Sequence, residues 1–398
     1  MIEARNLTKV FDLSPARAQR ALDAADDRAA AVRAAGGVLA VDDVSFSVER
    51  GELFVIMGLS GSGKSTVIRM INRLVAPTAG NVAYDGADVG AMTTRQLREL
   101  RNRRVGMVFQ HFALFPHRTV RDNAAYGLKA RGVPKRERLA RADRALEQVG
   151  LAQRGDAYPG EFSGGMQQRV GLARALTTDP DVLIMDEPFS ALDPLTRRSM
   201  QDQLLELQRE FRKTIIFVTH DLNEAMRIGD RIMVMRNGRI VQLGTGPEII
   251  SEPADDYVRD FVSDVDRTRV LTAATVMEPA WVTAALDEDP APVLARLEDS
   301  LGRGVYVTAP DGTIAGVATS GPLSAAVAER RTGLADCLGG DYAAVPDDTP
   351  LVGFCHLAGR HAVPLAVVDR GKRLVGVVPR TRVLDAIASA PEDVNAHA

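Results

Sequence analysis

The stretch Gly58-Leu-Ser-Gly-Ser-Gly63-Lys64-Ser65 sets glycines, a lysine and a hydroxyl in the order G-x-x-x-x-G-K-[ST]. That order suits a loop wrapping phosphate. Glycines let backbone N–H groups curl around an anion, and a helix opening next adds its positive end. The context agrees: the apolar run "LFVIM" precedes it and the helical pattern "KSTVIRMINRL" follows. Ser60, Gly61, Gly63 and Thr66 belong to the cradle. Lys64 is expected to reach the β- and γ-phosphates, and Ser65 to ligate Mg2+.

A second set lies at strand ends. "VLIMDEP" puts Asp186 and Glu187 at the close of an apolar run. An Asp there can hold Mg2+, usually through water, and the adjacent Glu can polarise an attacking water. Alone, such a pair is often a helix cap; beside a phosphate loop it is a metal and base pair. Gln110 and His220 close the runs "VGMVFQ" and "IIFVTH". In a nucleotide-binding sheet such ends point into the ligand crevice. A Gln can touch both metal and water, and a His can donate to the γ-phosphate. Ser163-Gly164-Gly165 opens a further helix, "MQQRVGLARALTT", and so offers a second anion cradle. It follows Gln110 by roughly 50 residues, beyond an Arg/Ala-rich helical region (121–160), and is not expected to fold back onto its own phosphate loop. The phosphate it meets then comes from a second copy, with two chains head to tail around two ATP molecules.

These residues need a rigid sheet. The runs "LFVIMG", "VGMVFQ", "VLIMDE", "TIIFVTH" and "RIMVM" read as buried strands alternating with helices, which predicts an α/β fold with a largely parallel sheet. Residues 14–36 interrupt it: Ser14-Pro15 starts and Gly36-Gly37 stops an Ala/Arg/Asp-rich helix, read as a solvated surface helix with docking as the alternative. The chain has 398 residues, enough for two or three domains. A net charge of −3 gives no reason to expect nucleic acid or anionic lipid as partner. Cys337 and Cys355 cannot build a disulfide framework, which fits a reducing compartment. The start "MIEARNLTKVFD" does not read as a signal peptide, and no apolar run approaches the roughly 20 residues of a membrane-spanning helix. A membrane role is therefore expected through a partner.

Residues 268–390 carry an internal repeat with an offset of 60: Pro290 matches Pro350, Gly316 matches Gly376, and Val305 and Ile314 match Leu365 and Leu374. Each copy reads helix, strand, turn, strand, helix, and two copies can bury their sheets against each other. The expected division is 1–250, a connecting segment 251–267, repeats 268–327 and 328–390, and a tail 391–398. The tail holds only Glu392 and Asp393 as acids, too few for an acidic switch.

"GLSGSGKST", Gln110, "FSGGMQQR", "VLIMDEP", "SALD" (190–193) and His220 together resemble the ATP-binding-cassette (ABC) transporter ATPases, in order and spacing, over residues 1 to about 250. The resemblance implies a P-loop ATPase domain with a helical subdomain. It implies that Ser163 and Gly165 bind the γ-phosphate in trans, with Gly164 between them in the nucleotide-binding cradle, that Asp193 lies at the dimer seam and that Glu187 is the catalytic base. Phe11, in "KVF", stands where the family stacks an aromatic on adenine. Phe162 and Met166 depart from the commonest signature, and the Ser-Gly-Gly core survives.

Within the family the chain looks like the ATPases of osmoprotectant importers, those for glycine betaine, proline betaine and related quaternary amines. The 14–36 insertion, "GLSGSGKST", "FALFPHRTV" (112–120) and the signature Met carry that likeness. Residues 268–390 resemble a tandem cystathionine-β-synthase-type (CBS) regulatory pair, an α+β module. Such pairs hold ribose with a Thr-x-x-Asp pattern; here Thr319 is followed by Pro322, and the second copy has Pro379 and Arg382. Each missing carboxylate removes acceptors worth about 1–2 kcal/mol, so adenosine nucleotides are not expected to bind there in the usual way. Ionic strength, a cyclic dinucleotide, or simple dimer stabilisation remain as roles.

The resemblance implies an ATP- and Mg2+-dependent ATPase, peripheral on the cytoplasmic face of the membrane. Its partners are a second copy, transmembrane permease subunits and, indirectly, an extracytoplasmic substrate-binding protein. An ATPase for an amino acid or polyamine importer is the alternative. A soluble cassette acting on DNA or ribosomes would need two cassettes, a coiled coil or a basic surface, and an inert scaffold would not need Lys64, Asp186, Glu187 and His220.

Overall fold

The structure is a computed structural model, which describes every residue except 25, 111, 112, 264, 281, 301, 302, 362 and 389–398. The tail 391–398, with its two acids, and Phe112 of the "FALFPHRTV" stretch therefore lie outside the described residues. The chain divides into two compact units, Met1–Val262 and Ser263–Ala398.

The first unit carries strands β1 (Ile2–Phe11), β2 (Val38–Val48), β3 (Leu53–Met57), β4 (Ala79–Tyr84), β5 (Ala87–Asp88), β6 (Val105–Val108), β7 (Val182–Asp186), β8 (Thr214–Thr219), β9 (Arg231–Arg236) and β10 (Arg239–Gly244). One sheet runs β10-β9-β3-β8-β7-β6 and a second runs β2-β1-β4-β5. In the larger sheet every pairing is parallel except β9–β10. β3 and β8 are buried along their whole length, which is why they read as unbroken apolar runs rather than as alternating ones. The registers Met57↔Thr219 and Asp186↔Val218 bring the ends of β3, β7 and β8 to one edge. The helices Val120–Ala124, Lys135–Gln148 and Gly164–Leu176 pack on one another as a helical layer.

Residues 14–36 form two helices rather than one, Pro15–Asp23 and Arg28–Ala34. Asp27 caps the second by accepting from the Ala30 N–H at 2.9 Å. Ala18, Ala21, Leu22 and Val32 close over Val10 of β1 as a small separate core. The hairpin is thus docked on its own sheet. Arg28 Nη1 also lies 3.1 Å from Asp42, whose other oxygen accepts from Arg239 Nε at 2.7 Å. Asp42 is 2% exposed, and a carboxylate buried that deeply needs both partners.

The segment after 250, read from the sequence as a connector, is built into the first unit as far as Val262. Gln242 of β10 accepts from the Ala254 N–H at 3.0 Å and donates to Glu252 O at 2.8 Å. Tyr257 lies under the Arg236 guanidinium at 4.5 Å, and Val258 and Val262 are buried.

The second unit holds β11 (Thr283–Ala285), β12 (Val305–Thr308), β13 (Ile314–Ala318), β14 (Leu338–Gly339), β15 (Ala344–Pro346), β16 (Leu365–Val368) and β17 (Leu374–Val378). Its two sheets, β11-β12-β13-β14 and β15-β16-β17, repeat the 60-residue offset down to the register. Val305↔Ala318 and Thr308↔Ile314 in one copy correspond to Leu365↔Val378 and Val368↔Leu374 in the other, with the bulge at the same place. Tyr306, Val317, Val363, Ala366 and Val377 pack between the copies.

The copies do not divide at 327/328. Leu271, Ala273 and Val276 enter the core of the second copy, with Val345, Phe354, Leu365 and Val367. Leu334, Cys337 and Leu338 enter that of the first. Each copy therefore takes the segment preceding the other. Glu278 bridges Val377, as Gly339 pairs with Val317. The repeated glycine admits this crossing: a Cβ on Gly376 would lie 2.9 Å from Glu278 O, and one on Gly316 would lie 3.2 Å from Gly339 O. Gly376→Val is expected to destabilise the second unit by about 1–3 kcal/mol. Thermal unfolding of the full chain checks this, as a lowered second-unit transition with ATP turnover retained.

Candidate functional site

At the edge where β3, β6, β7 and β8 end, four loops converge. The loop after β3 turns into the helix Lys64–Ile71 through Gly63 at φ 101°, a left-handed position where a Cβ would sit 2.5 Å from Ala40 O. Only glycine fits both constraints. Lys64 is buried, and its Nζ donates to Gly58 O at 2.7 Å and Leu59 O at 3.0 Å. Burial pushes its ammonium pKa down, while the Glu187 and Asp186 carboxylates oppose that shift. An ammonium held by its own loop's carbonyls can exchange them for phosphate oxygens without leaving the loop.

Ser65 Oγ donates to Asp186 Oδ1 at 3.2 Å. Burial raises the Asp186 pKa, the Ser65 hydrogen bond and Arg69 pull it back, and neighbouring Glu187 adds to the rise. The chain leaves β7 through Glu187 at φ 44°, and the Glu187 N–H is taken by Val218 O at 3.0 Å. That strained backbone aims the carboxylate between two loops. Oε2 of Glu187 meets His220 Nδ1 at 3.0 Å and accepts from Gln110 Nε2 at 3.4 Å. A carboxylate oriented by an imidazole and an amide beside a phosphate cradle can polarise a water.

Six of the residues expected from the sequence thus meet: Lys64, Ser65, Gln110, Asp186, Glu187 and His220. Ser60 and Gly61 form the exposed rim of the loop, and Thr66 is half-buried in its helix. Phe11 ends β1 opposite Val38, with Lys9 Nζ 4.9 Å above its ring. Val38 is two residues along β2 from Ala40, whose carbonyl faces Gly63 of the phosphate loop.

Ser163, Gly164, Gly165 and Asp193 stand at other helix starts. Ser163 Oγ accepts from the Met166 N–H at 3.4 Å, capping Gly164–Leu176. Asp193 Oδ1 accepts from the Thr196 N–H at 3.1 Å, capping Pro194–Phe211. That backbone bond holds the exposed Asp193 carboxyl below the ordinary Asp range. Two further residues enter the neighbourhood without having been singled out by motif. Asp221 follows His220 directly, and Arg197 lies one helical turn after Asp193. Nη1 of Arg197 is 3.0 Å from Asp221 Oδ2. Their only trace in the sequence is adjacency to the motif residues. Among the described residues no group of three His, Cys, Asp or Glu is placed to hold a metal unaided.

Residues 41–190 match the family model described as ABC transporter. The chain is 44% identical, over 99% of its length and 99% of the relative's, to the glycine betaine/carnitine transport ATP-binding protein GbuA of Listeria monocytogenes. The chain belongs to the ATP-binding subunits of ABC transporters. It is also 47% identical to the trimethylamine N-oxide transport system ATP-binding protein TmoW of Ruegeria pomeroyi, over 69% of this chain and 81% of that one. Among solved structures, the dimeric bacterial ABC transporter cassette MJ0796 matches with a TM-score of 0.52 and 32% identity, over 62% of this chain and 98% of that one. As an ABC ATP-binding subunit, the chain binds ATP and couples its hydrolysis to transport. Among the described residues no helix is long and apolar enough to cross a membrane.

Proposed function

We propose that this chain is the ATPase subunit of an importer for glycine betaine and related quaternary amines. The observation that carries the reading is coverage. The likeness to the glycine betaine/carnitine protein spans both compact units, whereas the likeness to the trimethylamine N-oxide protein leaves about a third of this chain unmatched.

Two copies close head to tail around two ATP molecules. Phe11 stacks the base. Lys64 and the amides of the loop Ser60–Thr66 neutralise phosphate charge, and Ser163, Gly164 and Gly165 of the other copy meet the γ-phosphate beside Asp193. The hydrogen bonds that Ser163 and Asp193 make to Met166 and Thr196 lie within their own helix starts, which suits groups that wait for a second chain. Gln110 and His220 hold Glu187, and Glu187 polarises the water. Positioning and charge stabilisation supply most of the rate.

The Ser65 hydroxyl and Asp186 carboxylate, 3.2 Å apart with Gln110 nearby, are hard oxygen donors suited to Mg2+, which binds through one or two carboxylates plus phosphate. When bound, Mg2+ offsets negative charge on the phosphates.

Permease subunits dock on the region from Gln110 to about 160, at the cytoplasmic face of the membrane, and an extracytoplasmic substrate-binding protein feeds them. Exposed aromatics support this face: Tyr126 and Tyr158 are solvent-facing, and Arg118 lies over the rings of Phe115 and Tyr126 at 5.1 and 5.0 Å. The second unit acts as a CBS-type regulatory pair. Its Arg382, at the place of a ribose-binding Asp, donates instead to Glu278 at 3.0 Å.

The test is uptake of labelled glycine betaine, at varied osmolarity, in cells lacking this gene and any redundant betaine importer. Restored uptake with the wild-type gene, rising with osmolarity, is the expected result. An unchanged rate in the deleted strain would leave an ABC ATPase for another solute, such as an amino acid or polyamine.

A further inference from the structure

The helix that starts at Asp193 and the helix that starts at Asp221 are joined by a ladder of polar side chains. Its first rung is Arg197. Nη1 of Arg197 lies 3.0 Å from Asp221 Oδ2, and Nη2 donates to Leu192 O at 3.2 Å. One guanidinium therefore grips the backbone of the loop bearing Asp193 and the side chain next to His220. Among the described residues its buried Nε meets no hydrogen-bond partner, so the bonds of this guanidinium to the two loops are made by Nη1 and Nη2.

One turn on, Gln201 Nε2 donates to Glu224 Oε1 at 3.0 Å, with both residues 5% exposed. Arg227 Nη1 donates to Gln201 Oε1 at 2.8 Å, and Nη2 donates to Asp202 Oδ1 at 2.5 Å. Arg197 and Gln201 are four residues apart on Pro194–Phe211; Asp221, Glu224 and Arg227 recur every third residue from the cap of Leu222–Ile228. Each helix thus presents one continuous face to the ladder. Asp221 further caps its own helix by accepting from the Glu224 N–H at 3.2 Å.

We propose that Arg197 is a positioning residue that locks the Asp193 loop to the His220 loop, so that seating of a second copy at Asp193 sets the imidazole that holds Glu187. The proposal rests on the reading of Glu187, His220 and Asp193 given above. An ordinary exposed Arg–Asp pair is worth at most about 1 kcal/mol and would leave turnover nearly unchanged. Arg197 differs because it bridges two loops and its rung continues into a buried one. A lysine cannot replace it, since a single ammonium lacks the planar fork that reaches the Asp221 carboxylate and the Leu192 carbonyl together.

The test measures ATP turnover, KM for ATP and nucleotide affinity on the full-length chain, reconstituted with its membrane subunits. Arg197→Ala is expected to lower kcat about tenfold with KM within about twofold, the pattern of an interaction that matters after ATP has bound. Arg197→Lys, which keeps the ion pair but not the fork, is expected to fall between that variant and wild type. Asp221→Asn is expected to lower kcat similarly, and the double variant Arg197→Ala/Asp221→Asn to be no worse than the poorer single one, because the two act as a unit. A kcat within twofold of wild type in Arg197→Ala would overturn the proposal. So would losses that multiply in the double variant, or an equal loss of nucleotide affinity. If Arg197→Ala does not fold, Arg197→Lys decides alone: full activity with the charge retained but the fork lost overturns the proposal. Glu187→Gln is run alongside. Wild-type turnover in that variant would mean that the site itself was misread, an outcome distinct from failure of the Arg197 proposal.

Discussion

Glu187→Gln is expected to cut ATP turnover by about a hundred- to ten-thousand-fold, the range for loss of a positioned general base. ATP affinity should hold or rise. The substitution is nearly isosteric, so the turn at φ 44° and the Glu187 N–H bond to Val218 O should persist. Glutamine keeps a side-chain oxygen for Gln110 and His220, which meet Oε2 in the wild type at 3.4 and 3.0 Å. What disappears is the negative charge. Water loses its base, and the nucleotide's phosphates lose a repelling neighbour. The variant should therefore accumulate as an ATP-bound dimer in Mg2+ and ATP. Phosphate release reads the first effect, and light scattering after size exclusion reads the second. Turnover at the wild-type rate would remove Glu187 from the base role.

Lys64→Met should abolish tight ATP binding. Methionine preserves much of the apolar stem but removes the ammonium. Gly58 O and Leu59 O, which accept from Nζ at 2.7 and 3.0 Å, then lose their donor, and Asp186 and Glu187 face the phosphates without a compensating cation. Charge-assisted hydrogen bonds contribute about 1.5–3 kcal/mol each. Loss of two such bonds to phosphate corresponds to an affinity drop of about a hundredfold or more. Titration with a fluorescent ATP analogue measures it. An affinity close to wild type would place the triphosphate somewhere other than this loop.

Much of the site could be read in the chain itself because its chemistry is local. A phosphate loop is a strand, a run of glycines and a helix in direct succession, and the helix-opening Gly63 is demanded by its own φ and by the Ala40 carbonyl beside it. Asp186, Glu187, Gln110 and His220 were legible as strand-end residues, because parallel strands buried on both faces stand out as apolar runs and their ends line one edge. The repeat in the second unit was legible for a similar reason: identical registers require apolar residues at the same spacing in each copy.

Other features depended on the tertiary structure. The break in the 14–36 helix, the docking of the 251–262 segment and the exchange of segments between repeats were not evident from periodicity. In each case a residue's place is decided by a partner far along the chain. Asp42 is held by Arg28, 14 residues before it, and by Arg239, 197 residues after it. Leu271 and Val276 read as part of the first repeat until they are seen packed on Phe354 of the second. Arg197 and Asp221 belong to separate helices, and nothing in the composition or period of either predicts that they meet. The sequence by itself determined the phosphate loop, the strand-end acids and their order, because each depends on neighbours in the chain. Only the tertiary structure decided which loops are tied together, because side-chain pairs between distant elements leave no periodic trace in either one.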